Sequence, residues 1–389
     1  MGNQRKASRP EEVRSRIKEL VQQTLQEALE AELEEFLGYP RNGRTFTGNT
    51  RNGYTEKTVR TDTGEVGLKV PRDRKSEFEP QIVRKRQTML EDLESKIVAM
   101  YSKGMTTRDV QDILGEMYDV EVSPSLISRL TDKVLPRLEE WQNRPLKAVY
   151  SIIWFDCIFY SVREEGKVQK KAVYVVIGLG LDGRKELLGF WIDRRESKGF
   201  WLGVLNDLKA RGVRDVFIFS VDGISGIEEA IGAVYPRADV QRCVVHQIRS
   251  SMKYVSWKDR KELARDMKLV YGANTLEEAE TQMDRFEEKW LSRYPHVIKS
   301  WRTNWDALTT FFNYPVEIRR VMYTTNIIES VNSKFRKATG ARRVFPSDNA
   351  VLKCLYMAAQ ELEKKWTRPI KDWSAIYAQL VLLFEDRVQ

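Results

Sequence analysis

Between Val149 and Ile248 the chain changes its hydrophobic period several times, and that succession limits the folds open to it more than any other feature. VYSIIWFDCIFYSV, KKAVYVVIGLGL and KELLGFWI are β-rich runs separated by the turn-forming EEGK and DGRK, the pattern of an antiparallel meander. SKGFWLGVLNDLKARG then reads as a helix, DVFIFSVDG as a buried strand, GIEEAIGAVY as a helix and DVQRCVVHQI as another apolar strand. The order βββαβαβ predicts an α/β sheet in which the centre of the first strand lies beside the end of the fourth. Two aspartates fall there. Asp156 interrupts the apolar SIIWFDCIFY, and Asp222 follows FIFSV. A carboxylate left unpaired at low dielectric costs several kcal/mol, so each needs a partner, and a bound cation is a natural one. Mg²⁺ takes oxygen ligands and keeps positions open for water and phosphate, which suits two carboxylates plus a third acid from elsewhere. A turn or helix cap is an equally reasonable role for Asp222 and a poor one for Asp156.

The rest of the chain surrounds this segment with helices and one basic stretch. Residues 1–40 are read as an amphipathic helix: apolar side chains recur from Val13 through Leu20, Leu25, Leu29 and Leu33 to Phe36, and Gly38 stops the run. Its stripe calls for a partner, in the same chain or in a second copy. Residues 41–90 form a basic arm, with twelve Lys and Arg against six acids, around a hairpin of TEKTVRT and EVGLKV. Much of the formal net charge of +9 is concentrated there, and a basic excess favours a polyanionic partner. Residues 91–145 read as short helices, with Thr106 or Thr107 and Ser123 as N-caps and Pro124 at a first helical position. A helix-turn-helix fits, its last helix bringing Ser125, Ser128 and Arg129 toward a major groove, and so does plain packing. Pro145 marks a linker. The interval 257–312 is mostly helical, and NAVLKCLYMAAQELEKKW is a late helix.

Several classes of chain are excluded. No apolar run approaches the roughly 20 residues a membrane span needs, and the charged start is unlike a signal peptide, which predicts a soluble, cytoplasmic chain without a membrane partner. Cys157, Cys243 and Cys354 are far apart and odd in number, which argues against a disulfide framework and for a reducing compartment. Two histidines, His246 and His296, leave little for a His-built metal site. Cys243 and His246 have C-x-x-H spacing, but zinc normally needs four ligands and no second pair stands at motif spacing, so structural zinc is rejected. There is no G-x-x-x-x-G-K-[ST] loop to bind a nucleotide cofactor.

SVDGISGIEEAIGAVYPRADVQRCVVHQIRS together with YTTNIIESVNSKFRKATGARRVFPS strongly resembles the Mutator-type family of bacterial insertion-sequence transposases. GYTEKTVRTDTGEVGLKVPRDR, FEPQIV, GMTTRDVQDIL and VSPSLISRLTD extend the resemblance over nearly the whole chain. The resemblance implies a ribonuclease H-like catalytic core in two parts, 146–250 and 321–389, interrupted by an all-helical insertion domain, 251–320. It also implies a triad of acids, which falls on Asp156, Asp222 and Glu329 and would ligate Mg²⁺, with Mn²⁺ as a substitute. Thr325 or Asn326 would cap the helix carrying Glu329, among Lys334, Arg336, Lys337, Arg342 and Arg343, a basic neighbourhood suited to DNA phosphate. Taken alone, a glutamate on such a helix is by default a surface ion-pair member. For Cys243 and His246 the resemblance implies a role in shaping the site, and a satisfied core histidine is the equal alternative. Most of the ten tryptophans, Trp257, Trp290, Trp301 and Trp305 among them, should pack the helical interval, with stacking on an unpaired base left to one or two.

The function implied is that of a bacterial DDE transposase acting at the nucleoid. It would bind terminal inverted repeats, cleave double-stranded DNA and join the 3′-OH to target DNA by two-metal phosphoryl transfer. Two ends must be handled together, so a homodimer follows, with the stripe on 13–36 as a candidate interface. The alternatives are a related nuclease without strand transfer and a catalytically silent DNA-binding regulator.

Overall fold

The computed structural model describes residues 10–41, 43, 48–85, 87–118, 120–193, 197–223, 226–323 and 326–388. The chain divides into two compact units between Lys133 and Val134. The first contains α1 (Pro10–Leu37), β1 (Arg51–Thr61), β2 (Gly64–Asp73), α2 (Glu91–Ser102), α3 (Thr107–Tyr118) and α4 (Pro124–Asp132). Helix α1 stops where Gly38 turns into the left-handed region at φ 76°, its N–H donating back to the Glu34 carbonyl. The stripe on α1 finds a partner in its own chain. Leu29 packs into a core with Val59, Val66, Leu68 and Val83, and the Gln22 and Gln26 amides donate to the Gly67 and Lys69 carbonyls of β2. Ile17 and Leu20, nearer the helix start, stay exposed.

Helices α2 to α4 share a second core that includes Leu93, Ile97, Val110, Leu114 and Ile127. Their starts are fixed by side chains. Thr106 and Asp109 cap each other's backbone N–H groups, and Ser123 Oγ accepts from Leu126 N ahead of Pro124.

The second unit is a mixed α/β fold. It runs α5 (Leu135–Asn143), β3 (Val149–Glu164), β4 (Lys167–Gly180), β5 (Lys185–Asp193), α6 (Lys198–Ala210), β6 (Asp215–Val221), α7 (Ile227–Val234), β7 (Asp239–Arg242) and α8 (Val244–Met252). Then come α9 (Arg260–Tyr271), α10 (Leu276–Trp290), α11 (Pro295–Thr303), α12 (Trp305–Thr309), α13 (Val316–Tyr323), α14 (Asn326–Thr339), α15 (Asp348–Glu363) and α16 (Trp373–Leu383). Five strands form one sheet in the order β5-β4-β3-β6-β7. The meander is antiparallel, whereas β6 runs parallel to β3 and β7 parallel to β6. The EEGK turn joins β3 to β4 by two residues, Glu165 and Gly166, at φ 47° and 78°, the positive values such a tight connection requires.

Side chains alternate across the sheet. Phe155 and Tyr174 meet Trp201 of α6 in a core that also takes in Ile227 and Ile231 of α7. Asp156 belongs to the opposite face, where α14 packs against β3 and α15 against β5. Pro145 does not mark a linker: Leu146 N donates to the Arg211 carbonyl and Arg211 Nε to the Arg144 carbonyl, which ties the segment to the end of α6. Helix α5, which the sequence groups with α2 to α4, packs instead against β5 and α15. Between Val244 and Tyr323 the described residues form helices and a short 3₁₀ turn, and none is in a strand. No helix among the described residues is long and apolar enough to cross a membrane.

Candidate active site

Parallel pairing of β3 with β6 sets Trp154 opposite Ser220, so the next residue on the same face of β3, Asp156, lies alongside the start of the loop after β6, where Asp222 stands. Asp156 is buried and Asp222 half-buried. His246, in the first turn of α8, lies between them. Its Nδ1 is in ion-pair contact with Asp222 Oδ1, and its Nε2 is 3.9 Å from Asp156 Oδ1. Burial first, and the Asp222 charge second, push the Asp156 carboxyl up to about 6. Burial alone would lower the His246 imidazole, but the Asp222 carboxylate and then the Cys243 sulfur outweigh it and hold the ring up to about 10.

Helix α14 completes the arrangement through two residues that the sequence did not single out or did not connect. Asn332 Nδ2 donates to Asp156 Oδ2 at 2.5 Å. Glu329, three residues earlier and so on the same helix face, is exposed and accepts from Arg249 Nη2 at 2.6 Å. Arg249 in turn stands three residues after His246 on α8. Two helices therefore each present an i, i+3 pair: His246 with Arg249, and Asn332 with Glu329. Asp156, Asp222 and His246 are gathered at one point, and Glu329 is held one step away on its neighbour's guanidinium. Asn332 was visible only as a residue of the same helix as Glu329; its three-residue spacing was the available signal. Arg249 carried none.

The donor set fits a hard cation. Asn332 Oδ1 is buried without a hydrogen-bond partner, and two carboxylates share the spot, Asp222 Oδ1 being engaged by His246 Nδ1. Cys243, which precedes α8, joins Asp222 and His246 in a group whose ligand atoms all lie within 4.8 Å of one another. The third donor that C-x-x-H spacing lacks thus comes from a different strand end.

The remaining candidates are spread over two regions. Ser125 and Arg129 are exposed and Ser128 half-buried on α4 of the first unit, Ser125 Oγ lying 2.8 Å from Ser123 Oγ. In the second unit Arg336, Lys337 and Arg343 are exposed, while Lys334 and Arg342 are half-buried, Arg342 donating to the Ala338 carbonyl. Thr325 lies outside the described residues, as does the side chain of Asn326.

Residues 2–369 match the family model described as Transposase, Mutator family. The chain belongs to that family. It is 43% identical over 360 residues to a probable transposase for insertion sequence element ISRM3-like from Sinorhizobium fredii, covering 92% of this chain and 90% of the relative. To the transposase for insertion sequence element ISRM3 from Rhizobium meliloti it is 42% identical, with the same coverage. Among solved structures it is similar to the Drosophila P element transposase strand transfer complex at 12% identity, covering 77% of this chain and 82% of that one. The TM-score between the two is 0.31. The Mutator-family resemblance drawn from the motifs is therefore borne out.

Proposed function

We propose that this Mutator-family chain is a DDE transposase whose acids Asp156, Asp222 and Glu329 hold divalent metal, Mg²⁺ with Mn²⁺ able to replace it. The observation that carries the reading is the meeting of Asp156 on β3 with Asp222 just past the end of the parallel strand β6, with the buried Asn332 Oδ1 unpartnered beside them. The strand order β5-β4-β3-β6-β7, antiparallel through the first three strands in sequence and parallel beyond, supports a ribonuclease H-like core. The helices from α8 to α13 support an insertion between its two parts.

A pair of bound Mg²⁺ ions supplies the activation of water or a 3′-OH and the neutralisation of the leaving oxygen. The protein's own groups do the rest. The carboxylates act as ligands and need no proton of their own. Asn332 fixes the rotamer of Asp156 by donating to it, and His246 keeps positive charge beside both aspartates. Arg249 and the exposed cations of α14 offer hydrogen bonds to backbone phosphate. In the first unit, the basic hairpin and α4 with Ser125, Ser128 and Arg129 are read as the recognition surface for terminal inverted repeats. Exposed Ile17 and Leu20 on α1 are read as part of a homodimer contact.

Asp156→Asn, Asp222→Asn and Glu329→Gln are each expected to abolish Mg²⁺-dependent cleavage of a duplex bearing the element's ends while leaving its binding within about twofold. A substituted protein that cleaves like the parent removes that residue from the site. Cleavage without joining of pre-cut 3′ ends would favour the nuclease alternative.

A further inference from the structure

Of the four tryptophans in the helical interval, two behave as core and Trp305 is half-buried. Trp290 and Trp301 are buried, their indole N–H groups donating to Asp266 Oδ2 and Ser251 Oγ. Trp257 does the opposite: it is 86% exposed, and Tyr254, three residues earlier and with its ring against His296, is 66% exposed. Large aromatics are seldom left in water by a fold that could bury them. Flexibility is not the reason here, because the connection between α8 and α9 is pinned from beneath. Val255 is buried, Ser256 N donates to Tyr294 Oη, Ser256 Oγ donates to Asp259 Oδ2, and Asp259 also accepts from Arg293 Nη1 and Tyr294 Oη. Arg260 N closes the turn onto the Trp257 carbonyl, while the Arg260 guanidinium stands 6.0 Å from the indole.

Cations outnumber acids in the segment that carries these two aromatics. From Arg249 to Lys261 the chain carries five cations, Arg249, Lys253, Lys258, Arg260 and Lys261, and one acid, Asp259, which is buried and already engaged. Lys253, Lys258 and Lys261 are exposed, and no ion pair is formed by them among the described residues. Rigid π-faces framed by solvated cations complement a polyanion that exposes flat aromatic groups, namely unpaired nucleic-acid bases. The platform also has a definite place. Helix α8 begins at the Asp156–Asp222–His246 cluster and rises about 1.5 Å per residue, so its far end at Met252 lies on the order of 10 Å from His246, and Trp257 follows five residues later in the connection to α9.

We propose that Trp257, with Tyr254 and the surrounding lysines, is a stacking platform for unpaired DNA bases next to the point of strand cleavage. The proposal rests on the transposase reading for the identity of the nucleic acid, and adds to it a base-binding site that the acidic cluster does not include. Stacking is insensitive to sequence, so the platform holds whichever bases the ends expose once they separate.

The test compares two probes on the full-length chain, an oligothymidine of about 12 nucleotides and a duplex of similar length, by fluorescence anisotropy at fixed salt. Trp257→Ala is expected to weaken oligothymidine binding about tenfold, Trp257→Phe to keep most of it, and duplex binding to change less than about twofold. At so exposed a position the substitution removes no core contact, and an unchanged melting temperature checks that the fold is kept. Oligothymidine binding that is equal in parent and Trp257→Ala overturns the platform while leaving the transposase reading intact. A parent chain that binds neither probe overturns both.

Discussion

Asp156→Asn should make the metal-free protein more stable as it makes it inactive. In the folded chain burial and the neighbouring Asp222 charge hold the Asp156 carboxyl up to about 6, whereas an unfolded aspartate titrates near 4. The folded state therefore binds the proton more tightly than the unfolded one. The sign follows: as pH rises from about 4 to about 6 the unfolded chain ionises first, stability falls, and above 6 the whole penalty is in place. A separation of about two pH units corresponds to about 3 kcal/mol, and because the side chain is 2% exposed, solvent does little to screen it. Asparagine keeps an oxygen to accept from Asn332 Nδ2 and removes the charge, so the gain at pH 8 in EDTA should be about 2–3 kcal/mol. For a unit of this size that is a rise in melting temperature of roughly 4–10 °C, readable by differential scanning fluorimetry. The gain should shrink toward zero at pH 4, and added Mg²⁺ should stabilise the parent and not the variant. A variant that melts with or below the parent at pH 8 in EDTA would refute the claim that burial and the Asp222 charge outweigh the Asn332 and His246 contacts and leave the charged Asp156 a net cost.

Asp73 shows the opposite sign. Burial raises its carboxyl, but the amide of Asn49 and the backbone N–H groups of Glu77 and Phe78 outweigh burial and hold it below the usual aspartate range, so its stabilisation is present above pH 4 and lost as pH falls through the lowered value; Asp73→Ala should cost the first unit about 2–3 kcal/mol in urea unfolding at pH 7. Arg249→Ala breaks an exposed ion pair and should leave stability within about 1 kcal/mol, yet lower the slope of log affinity against log salt for duplex DNA by about 1 if Arg249 contacts a phosphate. An unchanged slope would place Arg249 away from the backbone. If phosphate takes Arg249 and releases Glu329, DNA should tighten Mn²⁺ binding measured by electron paramagnetic resonance, and Arg249→Ala should abolish that coupling.

The sheet was legible because its strands advertise their period. The meander follows from three β-rich runs with turn signals between them, and the parallel β6 from an apolar run between helices. By contrast DVQRCVVHQI, which reads as one strand, is strand only over Asp239–Arg242 and turns into helix α8 at Val244, where Cys243 takes the N-cap position and His246 is brought to the aspartates. Asp156 was legible for the same reason, since a carboxylate within SIIWFDCIFY contradicts the pattern that surrounds it. What escaped the sequence is contact across chain distance. Nothing near Asn332 says that its amide reaches a strand 176 residues earlier, and nothing near Arg249 points to Glu329. The boundary at Lys133 was missed because Pro145 looked like punctuation, when its neighbours were already hydrogen-bonded to the end of α6. The stripe on α1 was visible, but not that β2 would cover its C-terminal half, because amphipathicity states a demand for a partner and not which partner answers it.

The arrangement of charge around the three acids has a single logic. Without a cation, like charges this close must be offset from within, and helix α8 supplies both offsets, the His246 imidazole against Asp156 and Asp222 and the Arg249 guanidinium against Glu329. These are also the groups that metal and phosphate would replace: a cation between the aspartates competes with the charged ring, and a phosphate competes with Glu329 for the guanidinium. The buried pair is then the costly one to rearrange and the exposed pair the cheap one, since Glu329 and Arg249 are both about half exposed and held by a contact that solvent screens. Glu329 lies on the same helix face as the asparagine that touches Asp156, and its release from Arg249 costs little. The proposed site therefore needs DNA phosphate to take Arg249 before Glu329 can act as the third ligand, and Arg249→Ala should release the glutamate without DNA.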